Sequence, residues 1–225
     1  MRKIMLQAGL LLAFGLAQNE ARVEVVAHTW RIQDGFLKVA GELRNPYREA
    51  LCFVEVNFRY LDEKGQPIEV ERFTAREAGW MPSDGVMADR DVVPPGETSS
   101  FYRSRDLTKL KTRPVQVEIR AYGLRLRSMP TTAALSEVGV EKTGSNFRVR
   151  GFYTASGQPA RNPSVVAVGY DAAGKPLISS RVYFTQNGSA LRQAVPGQRY
   201  PFSLLLSGET GAVQQVRAYP SWECE

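Results

Sequence analysis

Apolar and polar side chains alternate along several short stretches of this chain. Phe36-Leu37-Lys38-Val39-Ala40-Gly41-Glu42-Leu43 is one such stretch and Phe147-Arg148-Val149-Arg150-Gly151-Phe152 another, each interrupted by a glycine. A period of two places successive side chains on opposite faces of an extended backbone, so both segments predict strands. Val54-Glu55-Val56-Asn57-Phe58-Arg59-Tyr60 predicts a third strand, and it runs into Asp62-Glu63-Lys64-Gly65. An aspartate that accepts from the backbone ahead of it, followed by a glycine free to take positive φ, makes that end a turn. Helical periodicity is almost absent; only residues 106–111 predict a turn of helix.

The pattern is written twice. The strand around Gly41 is echoed around Gly151, and Val54 to Gly65 by Val165-Val166-Ala167-Val168-Gly169-Tyr170-Asp171-Ala172-Ala173-Gly174. Val93-Pro94-Pro95-Gly96 with Phe101 is echoed by Val195-Pro196-Gly197 with Phe202, and Val117-Glu118-Ile119-Arg120-Ala121-Tyr122 by Gln214-Gln215-Val216-Arg217-Ala218-Tyr219. Four blocks in one order imply a duplicated unit. The first copy is longer between its Asp-x-x-Gly and Pro-Gly turns, by about eight residues within 69–91.

Strands separated by turn signals predict an all-β fold of two tandem antiparallel, immunoglobulin-like β-sandwich domains, each of about 100 residues. The expected boundaries are a signal peptide over 1–17, a first domain over 18–124 with its insertion around 69–91, a linker over 125–135 and a second domain over 136–225. The Val-x-Gly strand followed by Asn45, the strand ending in Phe58-Arg59-Tyr60-Leu61-Asp62-x-x-Gly65, and the Pro-Gly turn leading to Phe101 together resemble the FxLYD family. The second copy keeps Tyr170-Asp171 of the name-giving motif. That resemblance implies a small extracytoplasmic β-sandwich and no catalytic residues.

Met1-Arg2-Lys3, the apolar residues 4–16 and the small residue Ala17 follow the order of a secretory signal, cleaved after Ala17. The apolar run falls short of the roughly 20 residues that span a bilayer, and no other stretch is long enough, so no membrane span is expected in the mature chain. The formal charge of +6 includes Arg2 and Lys3, which leaves about +4 after cleavage, concentrated beyond residue 122. That excess is too diffuse to indicate nucleic acid. Export permits disulfides, and Cys52 and Cys224 are the chain's two cysteines; a bridge would tie the C-terminus to the first domain.

Nucleophilic hydrolysis generally needs a base beside the nucleophile, and the single histidine, His28, lies on the first predicted strand. One histidine and two distant cysteines make no zinc ligand set, and no cofactor is expected. Asp84, Asp89 and Asp91 carry oxygen ligands of the kind calcium takes, but their spacing is not that of an EF-hand, and the plainer reading is solvated loop charge. The expected contact site is the insertion, with Phe73, Trp80 and Met81, because aromatics on loops bury large areas at low entropic cost. The competing reading has Trp80 capping the open end of the first core. A second candidate is the basic series that includes Arg103, Arg105, Arg125 and Arg127, whose alternate members share a strand face. The function expected is that of an exported, non-enzymatic interaction module of the cell envelope, periplasmic, surface-bound or secreted, binding a protein or an anionic envelope polymer. The alternatives are an accessory subunit of a surface layer or appendage, and an exported glycan hydrolase working through carboxylates.

Overall fold

A computed structural model describes residues 20–70, 77–144, 146–186, 188–207 and 212–224. The expected signal segment and Phe73 lie outside the described residues. The first half comprises strands β1 (Glu20–Gln33), β2 (Phe36–Arg44), β3 (Leu51–Leu61), β4 (Asp84–Met87), β5 (Val92–Val93), β6 (Thr98–Asp106) and β7 (Gln116–Arg125), with a 3-10 turn, Leu107–Lys109, where a helical turn is predicted. The second half comprises β8 (Thr131–Thr143), β9 (Asn146–Gly157), β10 (Ala160–Arg161), β11 (Ser164–Tyr170), β12 (Pro176–Tyr183), β13 (Thr185–Gln186), β14 (Ser189–Ala190), β15 (Gln193–Ala194), β16 (Arg199–Leu206) and β17 (Gln215–Ser221). Among the described residues no helix is long and apolar enough to cross a membrane.

The fold is an all-β sandwich with antiparallel pairing, and the two halves repeat one arrangement. In the first, β2 lies between β1 and β6 while β3 lies between β4 and β7; in the second, β9 lies between β8 and β16 while β11 lies between β12 and β17. The halves differ at their first strand. Glu20 to Val23 of β1 pairs with β7, and from Glu24 onward the strand pairs with β2, so one chain segment joins both sheets. Strand β8 instead stays on β9 along its length, from Thr131 opposite Gly157. Residues 131–135, expected in a linker, are therefore strand: Ala133 and Leu135 turn inward onto the second core, and only residues 126–130 separate β7 from β8.

The repeated sequence blocks have repeated physical roles. Asp62 Oδ1 accepts from the backbone N–H groups of Lys64 and Gln66, and Asp171 Oδ1 accepts in the same way from Ala173 and Lys175. Each turn closes on a glycine of positive φ, Gly65 at 72° and Gly174 at 74°. The strand glycine and the later phenylalanine form one cross-strand unit: Gly41 sits opposite Phe101 and Gly151 opposite Phe202. A Cβ on Gly41 would come within 2.1 Å of the Phe101 ring, so the glycine makes room for the aromatic to lie across it.

The first core is built from the inward faces of β2, β3, β6 and β7, with Leu37, Val56, Phe58, Tyr60 and Phe101 at its centre. The second gathers Val149, Tyr153, Val165, Leu204 and Leu206, and it also takes in Ala50, Cys52 and Val92 of the first half. The halves are thus joined through packing. Strand β11 is buried at every position: Val165 and Ala167 face the second core, while Val166, Val168 and Tyr170 form a cluster on the opposite face. That face meets the first half, where Tyr170 donates its hydroxyl to Glu42 Oε1 at 2.9 Å and Thr29 donates its hydroxyl to the Pro176 carbonyl at 2.7 Å. Burial on both faces explains why β11 reads as a continuous apolar run. A disulfide, Cys52 to Cys224 with Cα atoms 5.9 Å apart, fastens the C-terminus to β3.

Candidate functional site

The insertion folds back over the outer face of β3 and β7. Trp80 is only 4% exposed, and its indole Nε1 donates to Glu118 Oε2 at 3.0 Å. The guanidinium of Arg120 lies 4.7 Å from its ring centre and that of Arg59 lies 5.7 Å away, a pair of cation–π contacts. Glu77, at the other end of the turn, meets Arg120 and accepts from the Tyr122 hydroxyl at 2.6 Å. Trp80 is therefore held against outward-facing charged residues and caps the side of a sheet, while its neighbour Met81 remains exposed.

The basic series divides. Arg103 and Arg105 have the same strand parity as Phe101, so they point inward, and both grip the fully buried Asp84. Arg103 donates at 2.9 and 2.6 Å, Arg105 Nε at 2.8 Å, and the Tyr60 hydroxyl adds a bond at 3.0 Å. Burial pushes the Asp84 carboxyl up, but the bonds and charges of the two arginines outweigh it and hold the group below its ordinary value. Arg125 lies over the Tyr47 ring at 4.3 Å, and Arg127 is exposed.

The three insertion aspartates are not solvated loop charges, and among the described residues no acidic cluster is arranged to hold a metal. Asp91 pairs with Arg181 of the second half at 3.1 Å. Asp89 is half-buried where the halves meet; burial raises its pKa despite hydrogen bonds from Ser100 and Ser179 and the charge of Arg181. Arg90, between them, is 1% exposed, bonds Glu97 and the Thr98 carbonyl at 2.8 Å, and lies 5.8 Å over the Tyr219 ring. These charges bind one half to the other. His28 lies on β1, its pKa lowered by partial burial and by the charge of Lys175 of the second half.

A cleft of about 360 Å³ opens beside the seam. Phe53 and Val54 of β3, with Met87 and Ala88 at the end of β4, form one wall; Tyr183, Phe184 and Leu191 of the second half form the other, and Cys224 closes one side. Three rim side chains stand in solvent: Phe53 is 57% exposed, Tyr183 53% and Met87 49%. Phe53 occupies a bulge in the pairing of β3 with β7, between Cys52 and Glu55, and its φ is +48°. Left-handed backbone is rare for a bulky aromatic and costs on the order of 1–3 kcal/mol, and such outliers cluster at binding sites. Tyr183 is fixed by Arg181, which donates to its hydroxyl at 2.8 Å.

A polar trough continues from the cleft, lined by Arg161, Asn162, Arg192 and Gln193, with Asn162 common to both. The Asn162 backbone N–H donates to the Arg192 carbonyl at 2.8 Å, and its side-chain amide donates to Glu223 at 2.7 Å. No motif in the sequence marks Phe53 or Tyr183. The available signal was Leu51-Cys52-Phe53-Val54, four apolar residues that break the period of two at the bulge.

No family model matches the chain, and no curated protein matches it. Among solved structures it is similar to the transglutaminase of red sea bream, with 9% identity and a TM-score of 0.29, covering 99% of this chain and 34% of that one. It is also similar to a β-glucuronidase from Ruminococcus gnavus, with 13% identity and a TM-score of 0.20, covering 84% and 35%. The chain thus spans about a third of the length of these proteins, and overlap this slight carries no functional argument.

Proposed function

We propose that this protein is an exported, non-enzymatic interaction module of the cell envelope, and that it engages its partner at the cleft between its two halves. The observation that carries the reading is the rim of Phe53, Met87 and Tyr183, large apolar side chains standing in solvent around a concave site. Interfaces concentrate their energy in a few aromatic anchors set around a pocket, and methionine adapts its shape to a partner. Export is supported by the leader-like residues 1–17, by the resemblance to the FxLYD family and by a disulfide, which persists in oxidising compartments.

The test places a photo-crosslinking amino acid at Tyr183 and, separately, at the exposed Lys109 on the 3-10 turn, in the protein exported by its own cells. The expected outcome is a discrete adduct from position 183 that disappears when Phe53→Ser is added, and none from position 109. Equal adducts from both positions, or none from position 183, overturn the cleft as the contact site.

A further inference from the structure

The cleft and the trough beside it differ in chemistry, and together they describe a ligand. Resting on the reading of the cleft as the contact site, we infer that the partner is an extended polypeptide segment carrying an apolar side chain next to carboxylates. The apolar element is dictated by the walls, where Val54, Phe184 and Leu191 leave about 360 Å³, near the lower end of ligand-site volumes of roughly 300–1,000 Å³. That space accepts one or two side chains and excludes a folded surface.

The acidic element follows from charge. Around the cleft each acid already has an arginine: Asp91 is paired with Arg181, Glu97 with Arg90 and Glu223 with Arg161. Among the described residues no acidic side chain pairs with Arg192, which stands exposed in the trough beside Asn162 and Gln193. The site therefore presents a net positive end to anything lying along it. A purely anionic polymer would make no use of the apolar walls. A small amphiphile would leave the rim uncovered, whereas the exposed surface of Phe53, Tyr183 and Met87 offers area to a chain that continues beyond the cavity.

Three fluorescein-labelled heptapeptides test this by fluorescence anisotropy against the mature, oxidised protein. The first places Phe and Leu among Glu residues; the second replaces each Glu by Lys; the third keeps Glu and replaces Phe and Leu by Ser. The first alone is expected to bind, more weakly as salt rises. Arg192→Glu, a change at an exposed position whose fold circular dichroism checks, is expected to weaken it at least tenfold and to admit the Lys peptide. Equal binding of the Glu and Lys peptides, unmoved by Arg192→Glu, overturns the acidic class and leaves the cleft as the contact site. Displacement of the first peptide by decanoate at lower concentration than by unlabelled peptide reassigns the site to an amphiphile and overturns the inference. Silence from all three peptides while Tyr183 still crosslinks overturns the inference alone; silence in both experiments removes the contact site too.

Discussion

Asp84 carries no exposed side-chain surface and meets two guanidinium groups and a phenol hydroxyl, so its charge is compensated entirely by neighbours. Removing one partner of a buried ionic cluster leaves the others uncompensated. Asp84→Asn is expected to cost about 3 kcal/mol in urea unfolding at neutral pH. The folded carboxyl titrates below its ordinary value. Its contribution is therefore complete above the ordinary carboxylate pKa and is lost as pH falls through the depressed folded value. The difference between wild type and Asp84→Asn should accordingly shrink on acidification, and a constant difference would mean that Asp84 acts by shape instead of charge. From sequence, Arg103 and Arg105 fall on one strand face and Asp84 in the insertion, but nothing in the sequence brings them together. Strand parity shared with Phe101 turns the arginines inward, and that parity became decisive only once β4 delivered Asp84 between the sheets.

At the scale of elements, the pairing of β2 with β6 depends on a glycine opposite an aromatic. Gly41→Ala would set its Cβ within 2.9 Å of the Ala27 carbonyl as well as against the buried Phe101 ring. The expected loss is about 2–3 kcal/mol, as for other overpacked cores. Gly139→Ala, where an added Cβ meets nothing within 4 Å, is the matched control, and it should change stability by less than about 0.5 kcal/mol. A small loss at Gly41 would show that the ring swings aside. This unit was legible in sequence as two separate signals, a glycine inside a strand and a phenylalanine after a Pro-Gly turn; that they touch follows from the register of β2 on β6.

For the molecule as a whole, the disulfide and the shared packing make one body of the two repeats. Cys52 and Cys224 are 172 residues apart, so their bridge removes a large loop from the unfolded ensemble. Replacing both by serine is expected to cost about 5 kcal/mol on loop-closure grounds. Because Ala50, Cys52 and Val92 sit in the second core, the oxidised protein should unfold in one transition seen alike by circular dichroism and tryptophan fluorescence. Two resolved transitions in the oxidised protein would show that the seam between the halves contributes little cohesion.

Local chemistry was enough to reveal the duplicated strand order, because alternation, the aspartate–glycine turns and the Pro-Gly turns each act within a few residues of where they are written. What lies between the repeats was decided by tertiary structure. The outward face of β11 is buried because β2 and its neighbours lie against it, Glu42 is enclosed because Tyr170 and Tyr219 reach it, and the Asp89-Arg90-Asp91 segment becomes a seam because Arg181, Ser221 and Tyr219 meet it from the other half. Trp80 moved from contact residue to packed residue for the same reason, since the arginines that hold it come from two strands distant in sequence. The cleft is the clearest case. Its walls come from both halves, and a concavity shared by two repeats has no local sequence signature: it exists only through their docking and the disulfide that fastens it.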